Sequence, residues 1–119
     1  MFKEFEDVAA YAKLQGPNFC RPITKLKVYL GREVSLIEQL PDEEIIFISN
    51  SNKISRKHVL LFWNEEKGGW YAKNLSKNHI FINKMIVKST YEPIKISNIS
   101  ALQIDDCKFY FFAAREENS

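Results

Sequence analysis

The chain has 119 residues, of which 45% are hydrophobic, 27% charged and 13% aromatic, the composition of one globular domain with a single core. No apolar run approaches the roughly 20 residues that cross a bilayer as a helix, and the opening MFKEFEDVAAYAK carries acids where a secretion signal would be apolar, so an intracellular protein without membrane attachment is expected. A formal net charge of +2 does not by itself argue for nucleic acid, whose nonspecific binding needs a dense cationic face.

Residues 1–7 mix acids, lysine and aromatics without a pattern. Residues 8–14, VAAYAKL, have helical propensity but run into Gly16-Pro17-Asn18 too soon for a packed helix, so a strand is predicted. Residues 19–23 and 26–30 follow; the second, LKVYL, alternates with the period of a half-buried strand, and Gly31 is expected to close it. Residues 34–40 read as a short strand or loop ended by Pro41-Asp42. EIIFIS, 44–49, is rich enough in β-branched residues for a strand and leads into the polar loop SNSNKISRKH. Residues 59–64 and 70–74 form a hairpin, with Gly68-Gly69 supplying positive φ at its turn. Short strands at 80–82 and 85–87 flank Asn83-Lys84, and 94–96, 101–104 and 108–113 complete the set, separated by turn signals at Ser97-Asn98 and Asp105-Asp106. The polar tail 115–119 is expected to fray. Many short strands with closely spaced turns and almost no helical periodicity predict an all-β sandwich of two mainly antiparallel twisted sheets, one domain with its core over residues 8–113.

The hairpin joins two polar loops, 49–58 and 74–79, and would bring them to neighbouring strand ends, where Leu30-Gly31-Arg32 also ends an apolar run. Arginine, serine, lysine and asparagine converging at one end of a sheet describe a receptor for a phosphate group, because guanidinium, hydroxyl, ammonium and amide donors all match phosphate oxygens. Singly, each has a plainer reading: Arg32 as a solvated residue, Ser55 as a cap of its own loop, Asn78 at a left-handed turn position, His58 as a structural histidine, Trp63 and Trp70 as packing aromatics. The weight of Ser55 comes from Arg56 and Lys57 beside it. An enzyme would need Ser55, His58 and Asp105 or Asp106 as nucleophile, base and orienter, but no G-x-S-x-G elbow surrounds the serine. Cys20 and Cys107 sit in no C-x-x-C and are expected to be reduced; with His58 and His79 they lack the paired spacing of zinc ligands, so no metal or cofactor is expected. The competing reading is direct nucleic-acid binding, if Lys53, Arg56, Lys57, Lys73, Lys77, Lys84 and Lys88 form one cationic face.

Four pieces in order, Gly31-Arg32, then ISRKH at 54–58, NLSKNHIFIN at 74–83, and the closing strand 107–112, resemble a forkhead-associated (FHA) domain over residues 26–113. AYAKLQGPNFC, ISRKHVLLFW and SKNHIFIN are similar to the FHA module of fork-head type transcription regulators, which carry it ahead of a winged-helix DNA-binding domain that 119 residues cannot also hold. The resemblance implies a monomeric, nuclear phosphothreonine-peptide binding module without catalysis, with DNA contacted only through a domain outside this chain. It implies that Arg32 contacts the phosphate, Ser55 donates to another phosphate oxygen with Arg56 beside it, Lys77 adds charge, and Asn78 holds the peptide backbone. Gly31, His58 and Asn83 would brace the loops. Two positions depart from the pattern: Lys77 replaces a hydroxyl, and His79 stands where the family carries glycine. If that glycine marks a left-handed backbone, His79→Val would be clearly destabilising.

Overall fold

The structure, a computed structural model, describes residues 10–33 and 41–114. These form β1 (Ala12–Gln15), β2 (Cys20–Ile23), β3 (Lys27–Arg32), β4 (Glu44–Ser49), β5 (Val59–Asn64), β6 (Gly69–Asn74), β7 (Ile80–Ile82), β8 (Met85–Val87), β9 (Ile94–Ile96), β10 (Ser100–Ile104) and β11 (Cys107–Ala113). The strands assemble into a six-stranded sheet, ordered β2-β1-β11-β10-β7-β8, and a five-stranded sheet, ordered β4-β3-β5-β6-β9. Among the described residues β3 with β4 is the parallel pair, and the remaining pairs are antiparallel.

Alternation along the strands dictates this arrangement. Leu14 on β1, Val28 and Leu30 on β3, Val59 and Leu61 on β5, Leu102 and Ile104 on β10, and Phe109 and Phe111 on β11 are buried in one shared cluster, while their neighbours face outward. Trp70 of the smaller sheet meets Phe111 of the larger edge-on, with ring centroids 5.6 Å apart. Full burial of each such side chain contributes roughly 1.5–3 kcal/mol, so the shared core holds the two sheets face to face. The all-β sandwich expected from the sequence is the fold observed.

Two details differ from the sequence reading. Gly31 does not close β3: it pairs with Phe47, and the strand runs on through a bulge to Arg32. At the hairpin, Gly68 alone of the two glycines is left-handed (φ 65°), while Gly69 already pairs with Asn64 as part of β6. Asn83 and Lys84 have φ of 51° and 69°, the paired left-handed turn that joins β7 to β8. The expectations for 34–40 and for the tail 115–119 lie outside the described residues.

Register positions the candidate site. Leu30 near the end of β3 lies opposite Val59 at the start of β5, which lies opposite Asn74 at the end of β6. The chain therefore leaves β3 and β6 and enters β5 at one end of the five-stranded sheet.

Candidate functional site

The first loop, residues 50–58, is fastened directly to the end of β3. Arg32 N–H donates to the Ser55 carbonyl (3.0 Å), and His58 N–H donates to the Leu30 carbonyl (2.8 Å). Ile54, fully buried, anchors the loop in the core. This approach explains Gly31: a Cβ there would stand 1.7 Å from the Arg56 carbonyl oxygen, so no larger residue fits without moving backbone. Beside it Arg32 is half-buried, and its Nε is shielded from solvent with no hydrogen-bond partner among the described residues.

The second loop, residues 75–79, is organised from below by Asn74 and Ser76. The Asn74 side chain donates to the Asn78 and Val87 carbonyls (2.9 Å each) and accepts the Ser76 N–H (2.9 Å). Ser76 Oγ in turn accepts the Asn78 N–H and the Ser55 hydroxyl, each at 3.1 Å. Leu75 N–H reaches the His58 carbonyl, and Asn78 Nδ2 donates to the Lys53 carbonyl across the gap (3.2 Å). The two loops are one hydrogen-bonded unit, with Lys77 and Asn78 exposed on it. Asn74 and Ser76 are the residues that sequence reasoning missed as site organisers; the spacing N-x-S-x-N, short polar residues that bond their own loop backbone, was the available signal.

His58 is buried, and its Nδ1 accepts the Ser55 N–H at 3.0 Å. That bond requires an unprotonated Nδ1, and burial pushes the imidazole pKa below its usual value, outweighing the attraction of Asp105. Because the folded pKa lies below the unfolded one, the neutral ring's contribution is complete above the unfolded value near 6.5 and is lost as pH falls through the folded one. The peptide-free domain is therefore expected to lose stability on acidification from pH 7 to 5. His58→Gln, which cannot titrate, should flatten that part of the denaturation profile; an unchanged profile would locate the loss elsewhere.

Not every residue singled out in the sequence joins the cluster. Asn83 lies at the opposite end of β7, where its backbone and side chain bond Ala101, so it braces the β7–β8 turn and not the loops. Lys57 turns back over the Tyr29 ring, 4.3 Å from its centroid. Lys73 donates to the Ser89 and Tyr91 carbonyls, and Lys84 lies on the outer side of the other sheet, so the seven cations do not make one face. A Ser-His dyad is not formed either, since His58 bonds the Ser55 backbone and the hydroxyl bonds Ser76. Both cysteines are free thiols. Among the described residues the left-handed non-glycine ones are Asn83, Lys84, Ile99 and Asp105; His79 is not among them, which corrects the expectation carried by the family's glycine. His79→Val, at an exposed and unstrained position, is accordingly expected to shift stability by no more than about 0.5 kcal/mol, measured by the denaturation midpoint.

The model of the FHA domain family matches residues 28–105. The chain is 29% identical over 103 residues to "Transcriptional activator FHA1" of Nicotiana tabacum, covering 87% of this chain and 48% of that protein. It is 27% identical to "Fork head protein homolog 2" of Saccharomyces cerevisiae, covering 88% of this chain and 14% of the relative. The chain thus spans less than half the length of either relative. Among solved structures, the MEK1 FHA domain in complex with a HOP1 phosphothreonine peptide superposes with a TM-score of 0.59 at 21% identity, covering 88% of this chain and 98% of that one. The FHA domain of an Arabidopsis thaliana hypothetical protein gives 0.66 at 15% identity, covering 98% and 99%. With the family's model matched across the span that builds both loops, the five-stranded sheet and β7, β8 and β10 of the other, the chain belongs to the FHA domain family.

Proposed function

We propose that the loop cluster receives a phosphothreonine-containing segment of a partner protein, binding it without catalysis. The observation that carries this reading is the Arg32 Nε, a buried cationic donor without a partner among the described residues, on the residue whose N–H holds the Ser55 carbonyl of the loop unit that also presents the exposed Asn78. Leaving a buried donor unpaired costs roughly 1–3 kcal/mol, more when it is charged, and an anionic oxygen removes that cost on binding. Arg32 takes one phosphate oxygen. Ser55 rotates its hydroxyl from Ser76 to another, since a hydroxyl proton is free to reorient. Arg56 and Lys77 add exposed positive charge, and Asn78 holds the peptide backbone next to the phosphothreonine. Gly31 and His58 keep the loops in place. The phosphothreonine peptide bound to one of the structures that share this fold supports the assignment of the ligand.

The relatives described as a transcriptional activator and a fork head protein support a nuclear, transcription-linked setting, with DNA contacted through a domain outside this chain. The domain itself works as a monomer. Duplex DNA should then show only the nonspecific term, gone by physiological salt; a single sequence bound tightly at that salt would move the reading to nucleic acid.

The test is calorimetric titration with a degenerate peptide library carrying a fixed phosphothreonine, set against the same library with threonine or phosphoserine. Threonine should give no measurable heat of binding. Phosphoserine should bind about tenfold more weakly, because the missing methyl is worth roughly 1–3 kcal/mol in a fitted niche. Affinity should also fall below pH 6 or so as the phosphate takes up its second proton. Equal binding of threonine and phosphothreonine would overturn the proposal.

A further inference from the structure

A broad concavity lies away from the loop cluster, on the outer face of the six-stranded sheet. It has a volume of about 770 Å³, in the range of sites that hold a ligand side chain cluster. Its floor is Ala101 and Gln103 on β10 and Tyr110 on β11, its wall Phe81 on β7, and lysines 84 and 108 lie at its margin. Phe81 is 38% exposed and Tyr110 51%, and Ile86, opposite Phe81 on the edge strand β8, is 41% exposed. Contiguous exposed aromatic and aliphatic groups rimmed by charge are uncommon on a protein that meets nothing there, because water contact with each is unfavourable.

We propose that this groove is a second docking site, independent of phosphorylation, for a partner segment that carries apolar side chains flanked by carboxylates. Charge decides the occupant. No aspartate or glutamate lines the groove, and its two charged side chains are both lysine, so a neutral or cationic segment would bring no countercharge to Lys84 and Lys108, while flanking acids would. Polarity points to polypeptide: Gln103 donates its amide N–H to the Asp105 carbonyl and Gln15 donates to the Gly16 and Phe19 carbonyls, which leaves amide oxygens at the groove as acceptors for backbone N–H groups. A second copy of this chain fits poorly, because a twofold contact mates one concavity with another and sets like-charged lysines together. The two sites share an element: β7 begins two residues after Asn78 and carries Phe81 into the groove. A partner held at the loops thus has a second contact within reach, and two weak contacts on one polypeptide reinforce each other through effective concentration.

The experiment selects an unphosphorylated random dodecapeptide library on the full 119-residue chain, followed by NMR titration of one selected peptide. Enrichment of aromatic or aliphatic residues with Asp or Glu, and shifts at Phe81, Ala101 and Tyr110 but not at Arg32, are expected. Tyr110→Ser, and Lys84→Asn combined with Lys108→Glu, should each weaken the selected peptide at least tenfold while phosphothreonine-peptide affinity stays within twofold; asparagine is chosen because Lys84 is left-handed. Sequences enriched in lysine or arginine, no enrichment at all, or concentration-dependent dimers in sedimentation that Tyr110→Ser abolishes, would each overturn the proposal, the last in favour of self-association. Loss of phosphothreonine binding with the groove peptide still bound would strike the loop assignment and leave this one standing.

Discussion

Replacing Arg32 by alanine is expected to abolish phosphothreonine-peptide binding while leaving the domain folded. The guanidinium is held half-buried at the site with its Nε shielded from solvent, and removing one partner of a charge-assisted pair with phosphate costs about 2–5 kcal/mol. A micromolar complex would weaken at least thirtyfold, to the edge of detection in a calorimeter, since each 1.4 kcal/mol is about a factor of ten. Stability should move the other way or not at all. The fastening bond to Ser55 is made by the Arg32 backbone, which alanine keeps, and the truncation removes a buried donor that has no partner among the described residues. Lost binding with an unchanged or raised denaturation midpoint therefore marks a ligand-contacting residue. Lost binding with a lowered midpoint would mean that Arg32 serves the fold.

Gly31→Ala is expected to have the larger effect on the fold. A methyl 1.7 Å from the Arg56 carbonyl oxygen and 2.9 Å from that of Ser55 cannot be accommodated by a side-chain rotation, because both obstacles are backbone. The 50–58 loop must move off β3, which breaks or lengthens the Arg32–Ser55 and His58–Leu30 bonds. Overpacking of this kind costs typically 1–3 kcal/mol, and two weakened buried hydrogen bonds add about 1 kcal/mol each. The amide protons of Arg32 and His58 should lose their exchange protection, and peptide binding should go with them. Gly68→Ala is the control. Unlike Gly31 it lies at a positive φ, but its Cβ would meet nothing within 4 Å, so only the backbone strain of roughly 1–2 kcal/mol is expected and binding should survive. Equal effects of the two substitutions on binding would show that the approach of Arg56 is not what places the loop.

Strands such as β3 and β11 were legible because they carry a buried and an outward face, and a period of two survives in the sequence: KVYL and CKFYFF alternate as the fold requires. The loop residues were legible through their chemistry, since guanidinium, hydroxyl and amide groups clustered beside strand ends have few other uses there. Gly31 was misjudged as a stop because glycine is ordinarily punctuation, whereas here it makes room for a carbonyl from a segment over twenty residues away, a contact no local pattern records. His79 was misjudged for a related reason: a residue type says which backbone conformations are tolerated, not which one the Asn74 and Ser76 bonds impose. Ile99, a β-branched residue at φ 64°, has no sequence signal at all; its conformation follows from joining β9 of one sheet to β10 of the other in three residues. The outer groove was equally hidden, since Phe81, Ala101 and Tyr110 come together only through the β7–β10–β11 order.

The most direct measurement is the crystal structure of the domain with a phosphothreonine peptide selected from the library. Phosphate oxygens within hydrogen-bond distance of Arg32 Nε and Ser55 Oγ, with Asn78 Nδ2 turned from the Lys53 carbonyl to a peptide carbonyl, is the predicted result. A phosphate bound at any other surface, with Arg32 Nε still unpartnered, would contradict the account.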